Sequence, residues 1–306
     1  MSALGDVVCT LPAASALKAR FPDCHVTWAV DPRFAGIVEA CSAVDEVVRV
    51  KPGLRTIPSW PMPFDAAFDL QGLLKSAICV GRAKAPEKLG YHWQREAAWA
   101  FSARVLPDPT SFHVVDQYVD VVRAFRPDEN PLASDVAEFA LTPQDGPLET
   151  VREKLAAIGV SGRFVVMNAG AGWVTKRWPP AHFAAVCRSL GQDGVPVVFL
   201  GGKGDQAAVA EVLDGLPPRT AFDLAGQTNI PELVGLVSLA AAHLGGDTGS
   251  THLAAALGIP AIGLYSITRP QRSCPYGQIE RCHYDPAGLG NILPEPVTET
   301  LREVLR

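Results

Sequence analysis

The sequence predicts an α/β protein built from two doubly wound domains. Strand-like and helix-like segments alternate along the whole chain, which is typical of βαβ units and parallel sheets. The strand-like segments are short apolar runs without polar alternation, as expected for strands covered on both faces. The chain has 306 residues, about twice the length of a typical domain of roughly 150 residues. Two domains, each with its own core, account for this size.

The individual elements follow from hydrophobic spacing and turn residues. In the first half, β-branched or apolar runs predict strands and amphipathic runs predict helices: strands Cys24–Val30, Val44–Val50 and Asp65–Leu70, and helices Phe34–Ala40, Leu73–Arg82 and Val114–Ala124. In the second half the same criteria give strands Arg163–Met167, Val195–Leu200, Ala240–Gly245 and Pro260–Tyr265, and helices Leu148–Ala157, Pro180–Leu190 and Gln206–Leu213. One further helix lies between the last two strands, and Pro296–Leu305 has helical spacing without a partner strand.

The two ends of the first domain are also predicted from turn signals. The first helix signal is Thr10-Leu11-Pro12, a cap followed by a proline in the first turn, so Leu4-Gly5-Asp6 is predicted to be a loop. A strand normally precedes such a loop, so either the domain starts with this loop or a native strand lies upstream of Met1, and the second alternative is favoured. The turn-rich stretch Leu141–Gly146 predicts the seam between domains at residues 1–145 and 146–292.

Composition and charge exclude several functional classes. Hydrophobic residues make up 48% of the chain and charged residues 19%, which excludes general disorder. A formal net charge of −5 is unlike the basic footprint of a nucleic-acid binder, so no nucleic-acid partner is expected. The 7 scattered cysteines contain no Cys-x-x-Cys pair, which favours reduced thiols over disulfides or structural zinc. With no leader and no membrane-spanning run recognised, we expect a cytoplasmic protein.

The sharpest local signal is Leu244–Pro260, which has the pattern strand, glycine-rich turn, helix, glycine stop, strand. Free amides and the dipole at the start of such a helix favour a phosphate, and Thr248 and Gly249 lie at that start. An ordinary βα turn with a Thr or Ser cap is the alternative. Asp247 would repel a phosphate and is predicted to accept hydrogen bonds from sugar hydroxyls. His252 is either a ligand contact or a satisfied, half-buried side chain.

A second glycine-rich segment, Asn168–Pro179, follows the predicted strand Arg163–Met167. Ligands of doubly wound folds bind outside the carboxyl ends of the strands, so this loop and the Gly245–His252 loop should meet at one edge. Lys176 there is predicted to neutralise a diphosphate, and the alternative is a solvated basic pair with Arg177. Trp178 is predicted to serve packing.

The first half offers two candidate residues. Asp6 could present a general base, although an aspartate in a turn is common. Lys75 follows the predicted strand Asp65–Leu70 and could meet an anionic acceptor, although a plain strand-to-helix turn explains it nearly as well. No cluster has the spacing of metal ligands and no serine nucleophile motif is present, so no metal is expected.

Taken in order, these segments resemble the bacterial ADP-heptose:lipopolysaccharide heptosyltransferases of glycosyltransferase family 9. The likeness runs through Ser2–Pro12, Phe68–Ser76, Lys88–Glu96, Phe112–Tyr118, Lys176–Pro179, Gly245–Leu253 and Leu264–Gly277. The family begins with a strand before its Leu-Gly-Asp loop, in line with the expected upstream strand. Where the family often has hydroxyl residues, this chain has Gly170-Ala171-Gly172, so phosphate contacts near Gly170 would come from backbone amides.

The resemblance implies the GT-B architecture: two facing Rossmann-like domains with the active site in the cleft between them. The C-terminal domain would hold ADP-heptose and the N-terminal domain the acceptor, while the final helix at 293–306 would cross back to the N-terminal domain. The implied reaction is an inverting, metal-independent transfer of heptose to a Kdo or heptose hydroxyl of the lipopolysaccharide inner core. The ADP-sugar is a co-substrate, and no other cofactor is implied.

The implied roles fall on the candidate residues. Asp6 is the general base, and because a free aspartate with a pKa of ~3.9 is a weak base, closure of the cleft is expected to raise it. Lys176 and the amides of Thr248 and Gly249 stabilise the diphosphate, whereas Asp247 and His252 position the sugar or nucleotide. Lys75 contacts a lipid A–Kdo acceptor, which implies contact with the cytoplasmic face of the inner membrane. Another sugar nucleotide, a GT-B epimerase or a non-catalytic two-lobed binding protein remain alternatives.

Overall fold

The computed structural model describes residues 3–51, 60, 62–132, 137–170 and 177–306. The chain divides into two compact units, Met1–Thr142 and Pro143–Arg306. This division lies inside the turn-rich stretch that the sequence analysis identified as the domain seam. No helix within the described ranges is long and apolar enough to cross a bilayer.

The first unit consists of four helices and five strands within its described residues. The helices are α1 (Leu4–Arg20), α2 (Ala35–Glu39), α3 (Leu74–Arg82) and α4 (Val114–Arg123), and the strands are β1 (Thr27–Val30), β2 (Glu46–Arg49), β3 (Ala66–Asp69), β4 (Glu87–Tyr91) and β5 (Ala103–Val105). All strand pairs are parallel, but they form two sheets, β1-β2 and β3-β4-β5. Neither β1 nor β3 has a second hydrogen-bonded neighbour among the described residues. The strand expected upstream of Met1 stays a prediction.

The prediction of a loop at Asp6 is wrong, because this residue lies in helix α1. The helix begins at Leu4, so Asp6 lies in its first turn and Pro12 lies inside it. The Thr10 hydroxyl does not cap a helix start; it donates back to the carbonyls of Asp6 (2.9 Å) and Val7 (2.8 Å). The helix is retained because its apolar side chains are buried against α4, and this packing outweighs the hydrogen bond that Pro12 cannot donate.

The second unit is a doubly wound domain. Its strands are β6 (Val165–Asn168), β7 (Val197–Phe199), β8 (Ala221–Asp223), β9 (Ala242–Gly246), β10 (Ala261–Tyr265) and β11 (Cys282–Tyr284), and its helices are α5 (Asp145–Ala157), α6 (Pro180–Gln192), α7 (Gln206–Leu213), α8 (Ile230–Leu239), α9 (Gly249–Ala256), α10 (Pro270–Ser273) and α11 (Pro294–Val304). All six strands are parallel, in the order β11-β10-β9-β6-β7-β8. This is the strand order of a Rossmann sheet, whose switch point lies between β6 and β9.

The core of the second unit includes the last helix. Val297 and Leu301 of α11 are fully buried in one cluster with side chains of the central strands and of α6. Trp178 belongs to the same cluster: it is 3% exposed, its ring lies edge-on to Phe183, and its indole N–H donates to the carbonyl of Ile292 at 2.8 Å. The packing role predicted for Trp178 is confirmed. The crossing of the last helix to the N-terminal domain stays a prediction.

Candidate functional site

The loops that follow β6 and β9 meet at the switch point of the sheet. Asn168 at the end of β6 is in register with Gly245 of β9. The Asn168 side-chain amide donates to the hydroxyl of Ser250 at 2.9 Å and is 3.4 Å from the hydroxyl of Thr248. The predicted convergence of the two glycine-rich loops is therefore confirmed, and it lies where doubly wound folds bind ligands.

Helix α9 begins at this convergence with backbone amides that have no hydrogen-bond acceptor among the described residues. Thr248 is the N-cap residue, but its side chain makes no capping bond and instead contacts the hydroxyls of Ser250 (3.1 Å) and Thr251 (3.2 Å). The Thr251 amide donates to the Thr248 carbonyl at 3.2 Å. Within the described part of the chain, the amides of Thr248, Gly249 and Ser250 have no hydrogen-bond acceptor. Such amides, together with the helix dipole, are chemically suited to an anion.

Asp247 is held from two sides. The Thr268 hydroxyl, in the loop after β10, donates to its Oδ2 at 2.9 Å. Nε2 of His252 on α9 lies 3.5 Å from Oδ1, and the two side chains are only 9% (His252) and 19% (Asp247) exposed. The structure therefore brings together Asp247 and His252, which were predicted separately, beside the start of α9. Thr268 was not among the predicted site residues, because the contact joins positions far apart in the sequence.

A buried histidine lies beneath the loop. His243 of β9 is fully buried, and its Nε2 is 3.0 Å from the Ser250 hydroxyl. Burial, together with the charge of His252, lowers the pKa of His243 to about 3, so its ring is neutral at physiological pH. His243 was predicted only as part of the apolar strand Ala240–Gly245, and the available signal was a histidine inside such a strand.

Gly170 has a structural explanation of its own. A Cβ built on it would lie 2.0 Å from Oδ1 of Asp205, so a side chain fits there only if the Asp205 carboxylate moves away. Its amide already donates to the Asn168 side-chain oxygen at 2.9 Å, and this bond occupies the amide that was predicted to contact phosphate. Lys176 and the rest of residues 171–176 lie outside the described residues, and Arg177, the next described position, is exposed.

The two candidates in the first unit both lie in first turns of helices. Asp6 is exposed in α1, and Lys75 is half-buried at the second position of α3. The turn before α3 is shaped by Asp69, whose Oδ1 accepts from the amides of Gln71 (3.0 Å) and Gly72 (2.9 Å). Burial raises the pKa of Asp69. The Arg95 amide donates to the Gly72 carbonyl at 2.8 Å, which links this turn to the segment after β4.

Comparison with known proteins gives the family. The sequence profile described as glycosyltransferase family 9 (heptosyltransferase) matches residues 62–286, well over half of the chain. The chain belongs to glycosyltransferase family 9. It is therefore a glycosyltransferase, as the resemblance implied. Among the described residues of this family 9 enzyme, no group of three or more His, Cys, Asp or Glu side chains is arranged to hold a metal ion.

Relatives and solved structures agree with this assignment. The family 9 chain is 26% identical to the lipopolysaccharide core heptosyltransferase OpsX of Haemophilus influenzae, with 92% of this chain and 81% of the relative covered. A family 9 glycosyl transferase from Veillonella parvula superposes with a TM-score of 0.86 at 20% identity, covering 100% of this chain and 95% of that one. The E. coli heptosyltransferase WaaC with ADP superposes with a TM-score of 0.80 at 22% identity, covering 99% of this chain and 98% of that one. The fold is GT-B, in agreement with the parallel sheets.

Proposed function

We propose that this family 9 enzyme transfers a heptose from ADP-heptose to a Kdo or heptose hydroxyl of the lipopolysaccharide inner core, with inversion at the anomeric carbon. Family membership and the relatives named as lipopolysaccharide heptosyltransferases support the reaction. The observation that carries the donor site is the set of backbone amides of Thr248, Gly249 and Ser250, which have no hydrogen-bond acceptor within the described residues and lie where the β6 and β9 loops converge. The structurally similar WaaC was solved with ADP, which supports this nucleotide.

The donor is proposed to bind across the switch point. Its diphosphate would accept hydrogen bonds from the amides at the start of α9, where the helix dipole also favours negative charge. Lys176 would add a positive charge to the leaving ADP. Asp247, oriented by Thr268 and His252, would accept hydrogen bonds from sugar or ribose hydroxyls. The Gly170 amide would not contact the phosphate, since it donates to the Asn168 side chain. Gly170 would instead help to set the conformation of the donor loop.

The transfer is proposed to occur in one displacement. Asp6 removes the proton of the acceptor hydroxyl while its oxygen bonds to the anomeric carbon, and the bond from that carbon to ADP breaks. A positioned general base of this kind contributes roughly 10²–10⁴-fold to the rate. The negative charge that develops on ADP is stabilised by the α9 amides and Lys176, which here would do the work that a metal ion does in other transferases.

Lys75 is proposed to bind an anionic group of the acceptor, and two exposed apolar residues are proposed to contact the membrane that carries it. A cation in the first turn of α3 opposes the helix dipole, so an anionic group bound there would relieve that repulsion. Trp93 and Leu106, which follow β4 and β5, are 54% and 69% exposed and would approach the lipid surface that carries the acceptor. Cosedimentation with anionic vesicles is expected, and a Trp93→Ser/Leu106→Ser variant that sediments like the original chain would contradict this contact.

The reaction is tested by mass spectrometry of the product formed from ADP-heptose and a Kdo-bearing acceptor, with NMR of the new anomeric centre. Thermal shifts with ADP, UDP, GDP and dTDP identify the nucleotide, because a bound ligand raises the melting temperature by mass action. Stabilisation by a nucleotide other than ADP would favour a different donor, and ADP binding without any transfer would favour a non-catalytic binding protein.

The role of Asp6 is tested by Asp6→Asn, which should keep ADP affinity and lower turnover by roughly 10²-fold or more. Asp145→Asn is the matched control, since Asp145 is also an exposed aspartate in the first turn of a helix and loses the same dipole interaction. Near-normal turnover of Asp6→Asn would remove Asp6 from the role of general base.

A further inference from the structure

We propose that His243 is a positioning residue for the donor site: through Ser250 it fixes the distance between the β6 loop and the start of α9. This inference rests on the proposed function, since it assumes that a nucleoside diphosphate binds at that start. His243 itself has no route to the ligand, because its side chain is fully buried.

His243 acts through Ser250, whose hydroxyl has three hydrogen-bond partners. Its hydroxyl is 3.0 Å from Nε2 of His243, 2.9 Å from the side-chain amide of Asn168 and 3.1 Å from the hydroxyl of Thr248. These partners come from β9, from the end of β6 and from the cap of α9. Ser250 is itself only 3% exposed, and its backbone amide has no hydrogen-bond acceptor in the part of the chain that the structure describes. A displacement of its side chain therefore moves an amide that faces the proposed diphosphate.

The arrangement of His243 indicates a protonation state that suits this task. Its Nδ1 is buried and has no hydrogen-bond partner within the described residues. A proton on Nδ1 would be a buried donor without an acceptor among those residues, so the proton belongs on Nε2, which donates to Ser250. Ser250 then keeps its own proton for the Thr248 hydroxyl. His243 thus sets the direction of the hydrogen bonds that run to the cap of α9.

Packing around His243 shows that the site is built for the ring. A Cβ built on Gly245 would lie 2.9 Å from Cε1 of His243, so the missing side chain at Gly245 leaves the space that the ring occupies. On either side of His243, Ala242 and Leu244 are apolar and fully buried. A leucine at this position would avoid the cost of burying a polar ring, and the histidine adds only its bond to Ser250.

The test compares His243→Leu, which removes the bond, with His243→Gln, whose side-chain amide can still donate to Ser250. Calorimetric titration with ADP and steady-state kinetics are measured for each. His243→Leu should raise the Kd for ADP and the KM for the donor roughly three- to tenfold, as expected for one hydrogen bond, with kcat within twofold. His243→Gln should recover most of the affinity. Ser250→Ala should raise the Kd similarly, and combining it with His243→Leu should add little.

The matched control is His283→Leu. His283 lies on β11 of the same sheet, and its Nε2 makes an equivalent bond to the Thr300 hydroxyl at 3.1 Å, away from both loops. This variant should lower the melting temperature and leave the Kd for ADP unchanged.

If His243→Leu also lowers only the melting temperature, or if it and Ser250→Ala act additively, His243 is a purely structural residue and the inference is overturned. If the unaltered chain binds no ADP at all, the proposed function fails first. If His243→Leu does not fold, Ser250→Ala and His243→Gln decide the matter by the same Kd.

Discussion

Lowering the pH from about 7 to about 5 should destabilise the second unit through His243 alone by about 2 kcal/mol. In the unfolded chain this histidine has a pKa of about 6.5. In the folded chain burial, and secondly the charge of His252, lower the pKa to about 3. Between these two values the unfolded chain binds a proton that the folded chain does not. The contribution of His243 to stability is therefore fully present above pH 6.5 and is lost progressively as the pH falls towards 3.

The measurement is urea-induced unfolding followed by far-ultraviolet circular dichroism at the two pH values, for the original chain and for His243→Gln. Other titrating groups are common to both proteins and cancel when the two pH-dependent losses are subtracted. The original chain should lose about 2 kcal/mol more than the variant over this interval. Equal losses, within about 0.5 kcal/mol, would show that the folded chain protonates His243 as easily as the unfolded chain does, which would refute the burial argument.

Three further substitutions test packing that supports the two units. Arg20→Lys should lower the free energy of unfolding by roughly 2–3 kcal/mol in urea titrations, because the buried Arg20 guanidinium donates to several backbone carbonyls that a lysine cannot reach together. Gly170→Ala should cost roughly 1–3 kcal/mol through its collision with Asp205, and a second change, Asp205→Ala, should recover part of that loss of thermal stability. Trp178→Phe should cost roughly 1 kcal/mol, since it leaves the Ile292 carbonyl without its donor, and calorimetry should find ADP affinity unchanged.

The longer elements of the fold could be predicted because their hydrophobic pattern is local. Helix α7 begins and ends where it was predicted, at Gln206 and Leu213, and β10 lies inside its predicted segment. The short strands β4, β5, β8 and β11 were missed. The sequences of β4 (EKLGY) and β11 (CHY) have no apolar run, so only their neighbours in the sheet make them strands. Helix α8 was also missed, although its sequence carries a recognisable start signal, a capping box between Asn229 and Glu232.

The start of α1 could not be predicted from the usual boundary signals. Thr10 followed by Pro12 is the pattern of a helix start, and proline is unfavourable inside a helix. The packing of α1 on α4 outweighs that local preference, and the pattern alone contains no information about α4. Consequently Asp6 moves from a loop to a helical turn, where its carboxylate also interacts with the helix dipole.

The convergence of the two donor loops was predictable because the carboxyl ends of parallel strands share an edge, whichever residues follow them. Which of the individual backbone amides already donate a hydrogen bond within the protein could not be predicted. Gly170 and Gly249 are both glycines at that edge, yet the amide of Gly170 is bonded to Asn168, whereas the amide of Gly249 has no acceptor in the described part of the chain. At Gly245 the absence of a side chain has a different explanation, because a Cβ there would collide with the ring of His243. A glycine-rich motif therefore indicates where backbone and ligand can approach each other, but only the hydrogen bonds around each glycine decide which of them can bind a phosphate.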